Sequence, residues 1–391
     1  MRSPDEPTWD IAREIAATSF KPLGFEEIGL AIAVGRVLTM DALSLIDLPA
    51  YETSAMDGWV VAGSGPWKIV GEIIAGTLPT TVMQNGQCMK IATGCVLPQG
   101  ADSVLRWERA KQADGFISGP TTPREDIRPA GLESKKGEIL ISAGTKLTPT
   151  MVGLLAASGY DAVEVSITPR VALLILGDEL AHSGLPVAGK VRDSLGIQIP
   201  ALLHQLGANV VATRFIEDTL AATLAGFKNF LDSVDLLITT GGTADGPRDH
   251  IHAAIAQLGG TYLVNRVKSR PGHPMLLAEL EREGLPKLPI LGLPGNPQSC
   301  VVALLTLGEP VINSLLSKTR AKFEEFPNGY ELTTPQGFNR MVAGNIVQGR
   351  FVAAQHLGSA MLRGLANSTG FAILPSGVTK VGDLIRWLPL P

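Results

Sequence analysis

Cysteine is nearly missing from this sequence: there are three in 391 residues, Cys88, Cys95 and Cys300, with no C-x-x-C pair. A disulfide framework and a structural zinc site are therefore not expected, and three reduced, packed thiols are. Long apolar runs are missing too, since no uninterrupted stretch reaches the roughly 20 residues of a membrane-spanning helix. The opening MRSPDEPTWDIAREI is acidic and lacks the apolar core of a secretory signal, so a cytoplasmic protein with no membrane association is expected. Neither sign of charge dominates: 33 Lys+Arg stand against 37 Asp+Glu, a formal net charge of -4. No basic run or basic helix face gives an electrostatic reason for a nucleic-acid partner.

What is present is material for several cores. Hydrophobic residues make up 45% and charged ones 18%, and 391 residues are too many for one ordinary core. Counts of Gly 43 and Pro 27 point to many tight turns and to β-rich parts. A helical start over Asp10 to Ser19 leads into an irregular stretch ending near Leu48. From Pro49 to Lys136, short alternations such as Trp67-Lys-Ile-Val-Gly-Glu read as a small β domain. Thr148-Pro149 supplies a cap and a first-turn proline for a helix over Met151 to Ser158, with Gly159 as its stop.

The segment from 170 onward differs. Val171 to Leu176 is an apolar run suited to a strand buried on both faces. Ser194 to Leu206 and Leu220 to Leu231 carry helical spacing, with Leu220, Leu224, Phe227 and Leu231 on one stripe. Asp235 to Thr239 and Leu288 to Leu293 repeat the theme of an apolar strand followed by glycine, and Ser299 to Leu316 reads as a long apolar helix. Strands alternating with helices imply a mostly parallel, doubly wound sheet covered on both faces, whose ligands sit beyond the carboxyl ends of the strands. From Lys318 the pattern returns to short strands and turns, a final small β domain.

Chemistry-bearing residues gather in the loops after these strands. Gly241 and Gly242 follow one strand directly and could turn backbone N–H groups toward a phosphate, with Asp249 holding a cation; a plain turn capped by Asp249 is the alternative. Pro294-Gly295-Asn296-Pro297 makes a rigid loop suited to an oxyanion, or merely to a sharp turn. Arg270-Pro-Gly-His273-Pro is a third rigid loop, in which Arg270 could grip phosphate or could simply lie at the surface. Asp178 and Glu179 supply strand-end carboxylates of the kind Mg²⁺ prefers, and Asp193 precedes a helix it could cap. Asp57 and Asp102 read as turn-forming aspartates, and His250 and His252, two apart, as helix-face histidines.

Six stretches together resemble the molybdopterin molybdenumtransferase family, to which the C-terminal domain of gephyrin is similar. They are Leu48-Pro-Ala-Tyr-Glu-Thr-Ser-Ala-Met-Asp-Gly-Trp, Ile91-Ala-Thr-Gly-Cys-Val-Leu-Pro-Gln-Gly-Ala-Asp, Asp126-Ile-Arg-Pro-Ala-Gly, Gly177-Asp-Glu-Leu, Thr240-Gly-Gly and Gly292-Leu-Pro-Gly-Asn-Pro. The resemblance implies a multidomain α/β plus β chain. Its parts would be a discontinuous linker and dimer domain (1–48 and 137–169), an inserted β domain (49–136), a molybdopterin-binding α/β domain (170–317) and a C-terminal β-barrel-like domain (318–391). It further implies a homodimer that takes adenylylated molybdopterin and molybdate and releases AMP in a Mg²⁺-dependent step. The partners it implies are a molybdopterin adenylyltransferase or an acceptor molybdoenzyme.

By the same resemblance, Asp57, Thr93 and Arg128 of one subunit would face Glu179, Asp193, Gly241, Gly242, Asp249, Arg270, His273, Pro294, Gly295 and Pro297 of the other. Asp57, Asp193 and Asp249 would be catalytic, and Glu179 with Asp249 would hold the metal. The chain departs from the family pattern at ligand loops. Gly242-Thr-Ala-Asp replaces Gly-Val-Ser and is similar to the adenylyltransferases; Arg270 and His273 stand where the family has lysines; Glu133 replaces an aspartate. A non-catalytic protein that binds or delivers the cofactor is the alternative these departures leave open.

Overall fold

The computed structural model describes residues 6–244, 246 and 249–391. The chain forms two compact units: one of Glu27–Val34 with Met40–Glu164, the other of the chain up to Glu26, Gly35–Thr39 and Val165–Pro391.

The first unit is built on a six-stranded sheet that includes Gly58–Val61, Trp67–Glu72, Gln87–Ile91 and Ser103–Arg106. Both of its faces are covered: Val60, Met89 and Val104 pack on one side, Trp59, Val61, Cys88 and Leu105 on the other. Helix Pro149–Ala157 starts as its sequence requires, with Thr148 accepting from the Met151 N–H and Pro149 in the first turn. It is apolar all round, yet Leu155 is its one buried residue.

The second unit opens with α1 (Trp9–Thr18), one residue earlier than the sequence pattern indicates. Then follow β1 (Arg170–Leu176), α2 (Leu195–Leu206), β2 (Asn209–Ile216), α3 (Leu220–Phe230), β3 (Leu236–Thr240), α4 (Ile251–Gln257), β4 (Thr261–Asn265), β5 (Ser269–Arg270), β6 (Leu276–Arg282) and β7 (Leu285–Leu293). The sheet order is β2-β1-β3-β7-β6-β4. Its first four strands are parallel, β6 runs antiparallel to β7, and β4, antiparallel to β6, returns to the common direction. With one reversed strand among six, the sheet is mostly parallel, as the sequence pattern implies. Two residues, Glu283 and Gly284 (φ 68°), join β6 to β7, and a connection that short can only make a hairpin.

Helices cover both faces of this sheet. Val171, Leu173 and Ile175 of β1 pack with Ile199 and Leu203 of α2, and Ala172, Leu174 and Leu176 with Phe227 of α3 and Ile251 and Ile255 of α4. The long apolar helix is interrupted: α5 (Pro297–Ala303) and α6 (Glu309–Leu315) flank a π-helical turn at Leu304–Gly308. Pro310 has no N–H to continue an α ladder, and the turn absorbs that loss. Among the described residues the run Pro297–Leu315 is the one helix long and apolar enough to cross a bilayer, but 89% of it is buried in this core.

Further strands are β8 (Glu324–Pro327), β9 (Asn339–Val347), β10 (Arg350–Ala353), β11 (Gly370–Leu374) and β12 (Leu384–Pro389). They form a second six-stranded sheet ordered β5-β9-β11-β12-β8, with β10 also on β9. Because β5 belongs to it, the Arg270 loop is carried from the α/β sheet onto this one.

Candidate functional site

Three loops leave the adjacent parallel strands β1, β3 and β7 at their carboxyl ends. Gly241 (φ 81°) and Gly242 (φ 67°) adopt left-handed backbone that other residues avoid. The Gly241 N–H donates to the Leu293 carbonyl at 2.9 Å, which pins the loop after β3 to the end of β7. A Cβ on Gly241 would stand 3.0 Å from the Leu176 carbonyl oxygen, and one on Gly295 3.6 Å from the Gly241 Cα. The three loops are thus in backbone contact, and glycine is what permits it.

The carboxylates around them have distinct partners. Asp193 is buried, and its Oδ1 accepts from the Leu195 and Gly196 N–H groups at 3.0 Å each, capping α2. Asp178 and Asp218 each donate a backbone N–H to the other's carboxylate at 3.1 Å. Glu179 is exposed beside Gly177, and Asp249 accepts the Gly246 N–H at 2.7 Å through one oxygen. Among the described residues no three His, Cys, Asp or Glu side chains are grouped as a metal site. Asp245 of the Gly242-Thr-Ala-Asp segment, with Pro247 and Arg248, lies outside the described residues.

His252 does more than cover a helix face. Its Nδ1 lies 2.8 Å from the Tyr262 hydroxyl and its Nε2 3.4 Å from the Thr243 carbonyl, so it braces the loop that carries Gly241 and Gly242. Burial pushes the Tyr262 phenol up to about 12. At pH 7 it is therefore a hydroxyl, able to donate to the imidazole. Residue spacing alone could not reveal the contact.

A cavity of about 360 Å³ opens where the Arg270 loop meets the second sheet, lined by Arg270, His273, Pro294, Ser299, Arg340 and Ser359 among others. Arg270 and Arg340 are register partners across β5 and β9, which run parallel. Like charges directly opposite repel, and an anion between them relieves this. Arg270 rests on the Phe338 ring at 5.1 Å, and Arg340 donates to the Thr333 carbonyl at 2.8 Å. His273 Nε2 lies 3.1 Å from the Glu6 carboxylate. Arg340 and Ser359 carry no sequence motif; only the strand register brings Arg340 to the loop.

In the first unit, Asp57 and Thr93 are brought together: the Thr93 N–H donates to Asp57 Oδ1 at 2.7 Å. That N–H, with the Thr93 hydroxyl, holds the exposed Asp57 carboxyl below the usual carboxylate range. Arg128, exposed, pairs in register with Thr53, and the Gly94 N–H donates to the Ser54 carbonyl, so all three residues sit on neighbouring turns. Asp102 accepts the N–H of Gly63, 39 residues away in sequence, so its carboxylate ties two loops together and does not close a local turn as expected.

The family model "MoeA N-terminal region (domain I and II)" matches residues 8–159, and "Probable molybdopterin binding domain" matches 172–314. A molybdopterin molybdenumtransferase of Nostoc sp. is 30% identical, with 93% of this chain and 89% of the relative aligned. One from Staphylococcus aureus is 27% identical over 92% and 84%. A crystal structure of the molybdopterin biosynthesis moeA protein of Pyrococcus horikoshii superposes with a TM-score of 0.81 at 20% identity, covering 98% of this chain and 100% of that one. Two family models, a relative aligned over nearly its whole length and a shared fold lead to one conclusion: the chain belongs to the molybdopterin molybdenumtransferase family.

Proposed function

We propose that this protein inserts molybdenum into adenylylated molybdopterin, taking molybdate as second substrate and releasing AMP. The observation that carries the reading is the pairing of Arg270 with Arg340 over a cavity that Pro294 and Ser299 also line. An oxyanion seat thereby adjoins the glycine–proline loop at the strand ends. Gly242 and Gly295 allow a phosphate close to the backbone, while the two guanidiniums attract molybdate, a compact dianion, beside His273.

Mg²⁺ fits the donor set, because it takes one or two carboxylates and completes its shell with phosphate oxygens and water. Glu179, exposed, and Asp249, engaged by Gly246 through one oxygen, are the residues that would hold it. When bound it would neutralise phosphoanhydride charge. In this reading Asp193 keeps the entrance of α2 in place and contributes negative charge, and Asp57, Thr93 and Arg128 join the site from a second copy of the chain.

A homodimer is supported by the apolar surface of the first unit. There Leu43, Leu45, Ile46 and Ile139 are exposed, together with most of helix Pro149–Ala157. We keep the four-part division of the chain as part of this proposal, along with a cytoplasmic setting. The upstream partner would be a molybdopterin adenylyltransferase and the downstream one an acceptor molybdoenzyme.

The second reading, binding and delivery without turnover, has one observation in its favour: Glu6 already engages His273, which lines the oxyanion seat. Incubating the purified protein with adenylylated molybdopterin, molybdate and Mg²⁺, then measuring molybdenum in the pterin fraction by mass spectrometry, separates the two. Molybdenum-loaded pterin is the expected result. Bound but metal-free pterin supports delivery alone.

A further inference from the structure

The Arg270 loop is held by a strap from the start of the described chain. The Lys268 N–H donates to the Pro7 carbonyl at 3.0 Å, Thr8 bridges to Lys268, and Thr8 then caps α1. The strap delivers the Glu6 carboxylate to His273 Nε2 at 3.1 Å, with the Arg266 guanidinium 3.9 Å away on the other side. Phe338 packs on the imidazole at 5.6 Å and on Arg270 at 5.1 Å, so the ring is fixed between a carboxylate and an aromatic. Among the described residues the charged groups around it are Glu6, Arg266, Arg270 and Arg340.

A carboxylate bonded to Nε2 fixes that nitrogen as an N–H donor, and Nδ1 is then the nitrogen left for a ligand. In neutral imidazole Nδ1 carries a lone pair, which repels an oxyanion. In imidazolium it carries a proton, which binds one. We infer that His273 takes up a proton when an oxyanion enters the Arg270–Arg340 cavity, with Glu6 as the positioning residue that holds the ring and balances its charge. This rests on the oxyanion seat proposed above and adds a pH dependence to it. A lysine in the same place would stay charged near neutral pH and give none.

Calorimetric titration of the full-length protein with inorganic sulfate, a dianion at every pH used, tests the inference between pH 6 and 8. Buffers of different ionisation enthalpy count the protons. The expected result is uptake approaching one proton per sulfate toward pH 8, with affinity falling by up to about tenfold per pH unit. His273→Lys should bind sulfate with no uptake and a flat profile, and His273→Gln should bind more weakly, also without uptake. Glu6→Gln should move the fall in affinity to lower pH, because imidazolium loses its neighbouring anion. Sulfate binding with no proton uptake, or uptake that persists in His273→Lys and His273→Gln, overturns the inference and leaves the seat standing. If neither sulfate nor molybdate binds at any pH, the seat itself fails and the inference with it.

Discussion

Replacing Asp193 by alanine removes an acceptor shared by two backbone N–H groups at the start of α2, both at 3.0 Å. Loss of such a cap costs about 1–2 kcal/mol. The carboxylate is only 6% exposed, which limits rescue by water and points to the upper end. At about 2–4 °C per kcal/mol for a unit of this size, the thermal midpoint should drop by about 4–8 °C. Gly196→Ala should act alike, because its Cβ would stand 2.3 Å from Asp193 Oδ2 and drive the carboxylate off the helix end. Asp193→Asn keeps an oxygen acceptor and forfeits only the charge at the helix dipole, about 0.3–1 kcal/mol. If the charge also serves the reaction, Asp193→Asn should cut AMP release about 100-fold or more in a protein of nearly normal stability. Differential scanning calorimetry and an AMP assay on the same three preparations read both effects. An unchanged midpoint for Asp193→Ala refutes the capping account, and full turnover by Asp193→Asn refutes the catalytic one.

Other consequences are equally direct. Thr306→Val should destabilise the second unit by about 1–3 kcal/mol in urea unfolding, because the buried Trp9 Nε1–H loses its acceptor at 3.0 Å. Gly241→Ala, with φ 81° and a Cβ 3.0 Å from the Leu176 carbonyl, should cost about 1–2 kcal/mol in the same measurement. It should also weaken AMP binding, read by calorimetry. Four carboxyls of the first unit are held below the usual range: Asp57 by Thr93, Glu52 by Arg124, Glu125 by Thr122, and Asp126 by Arg106. Their stabilisation is complete above the unfolded carboxyl values, about 4, and is lost as pH falls further through the folded values, because the unfolded chain then binds more protons. Below about pH 4 the fluorescence of Trp59 and Trp107, in the first unit, should therefore change before that of Trp9 and Trp387.

Local signals carried much of the fold. Thr148-Pro149 marks a helix start with two adjacent residues, and the run Val171 to Leu176 needs no distant partner to be recognised as a buried strand. The β6–β7 hairpin was harder to read: Pro286 and Pro289 lie within β7 and interrupt the alternation that would betray a strand. The break in the long helix has a visible cause in Pro310, although the π-helical form of the turn depends on packing. At the site, glycine and proline loops were legible because their backbone demands are local. The oxyanion seat was only half legible. Arg270 stands in a motif, but Arg340 reaches it through strand register and Glu6 reaches His273 across 267 residues, so neither partner leaves a mark in local sequence.

The central claim is that the strand-end loops and the paired arginines together perform molybdenum insertion. Single-turnover AMP release from adenylylated molybdopterin in Mg²⁺, with and without molybdate, tests it most directly. The account predicts release that depends on molybdate and is lost in Arg340→Ala. Release at the same rate without molybdate, or no release by a preparation that binds both substrates, would contradict it.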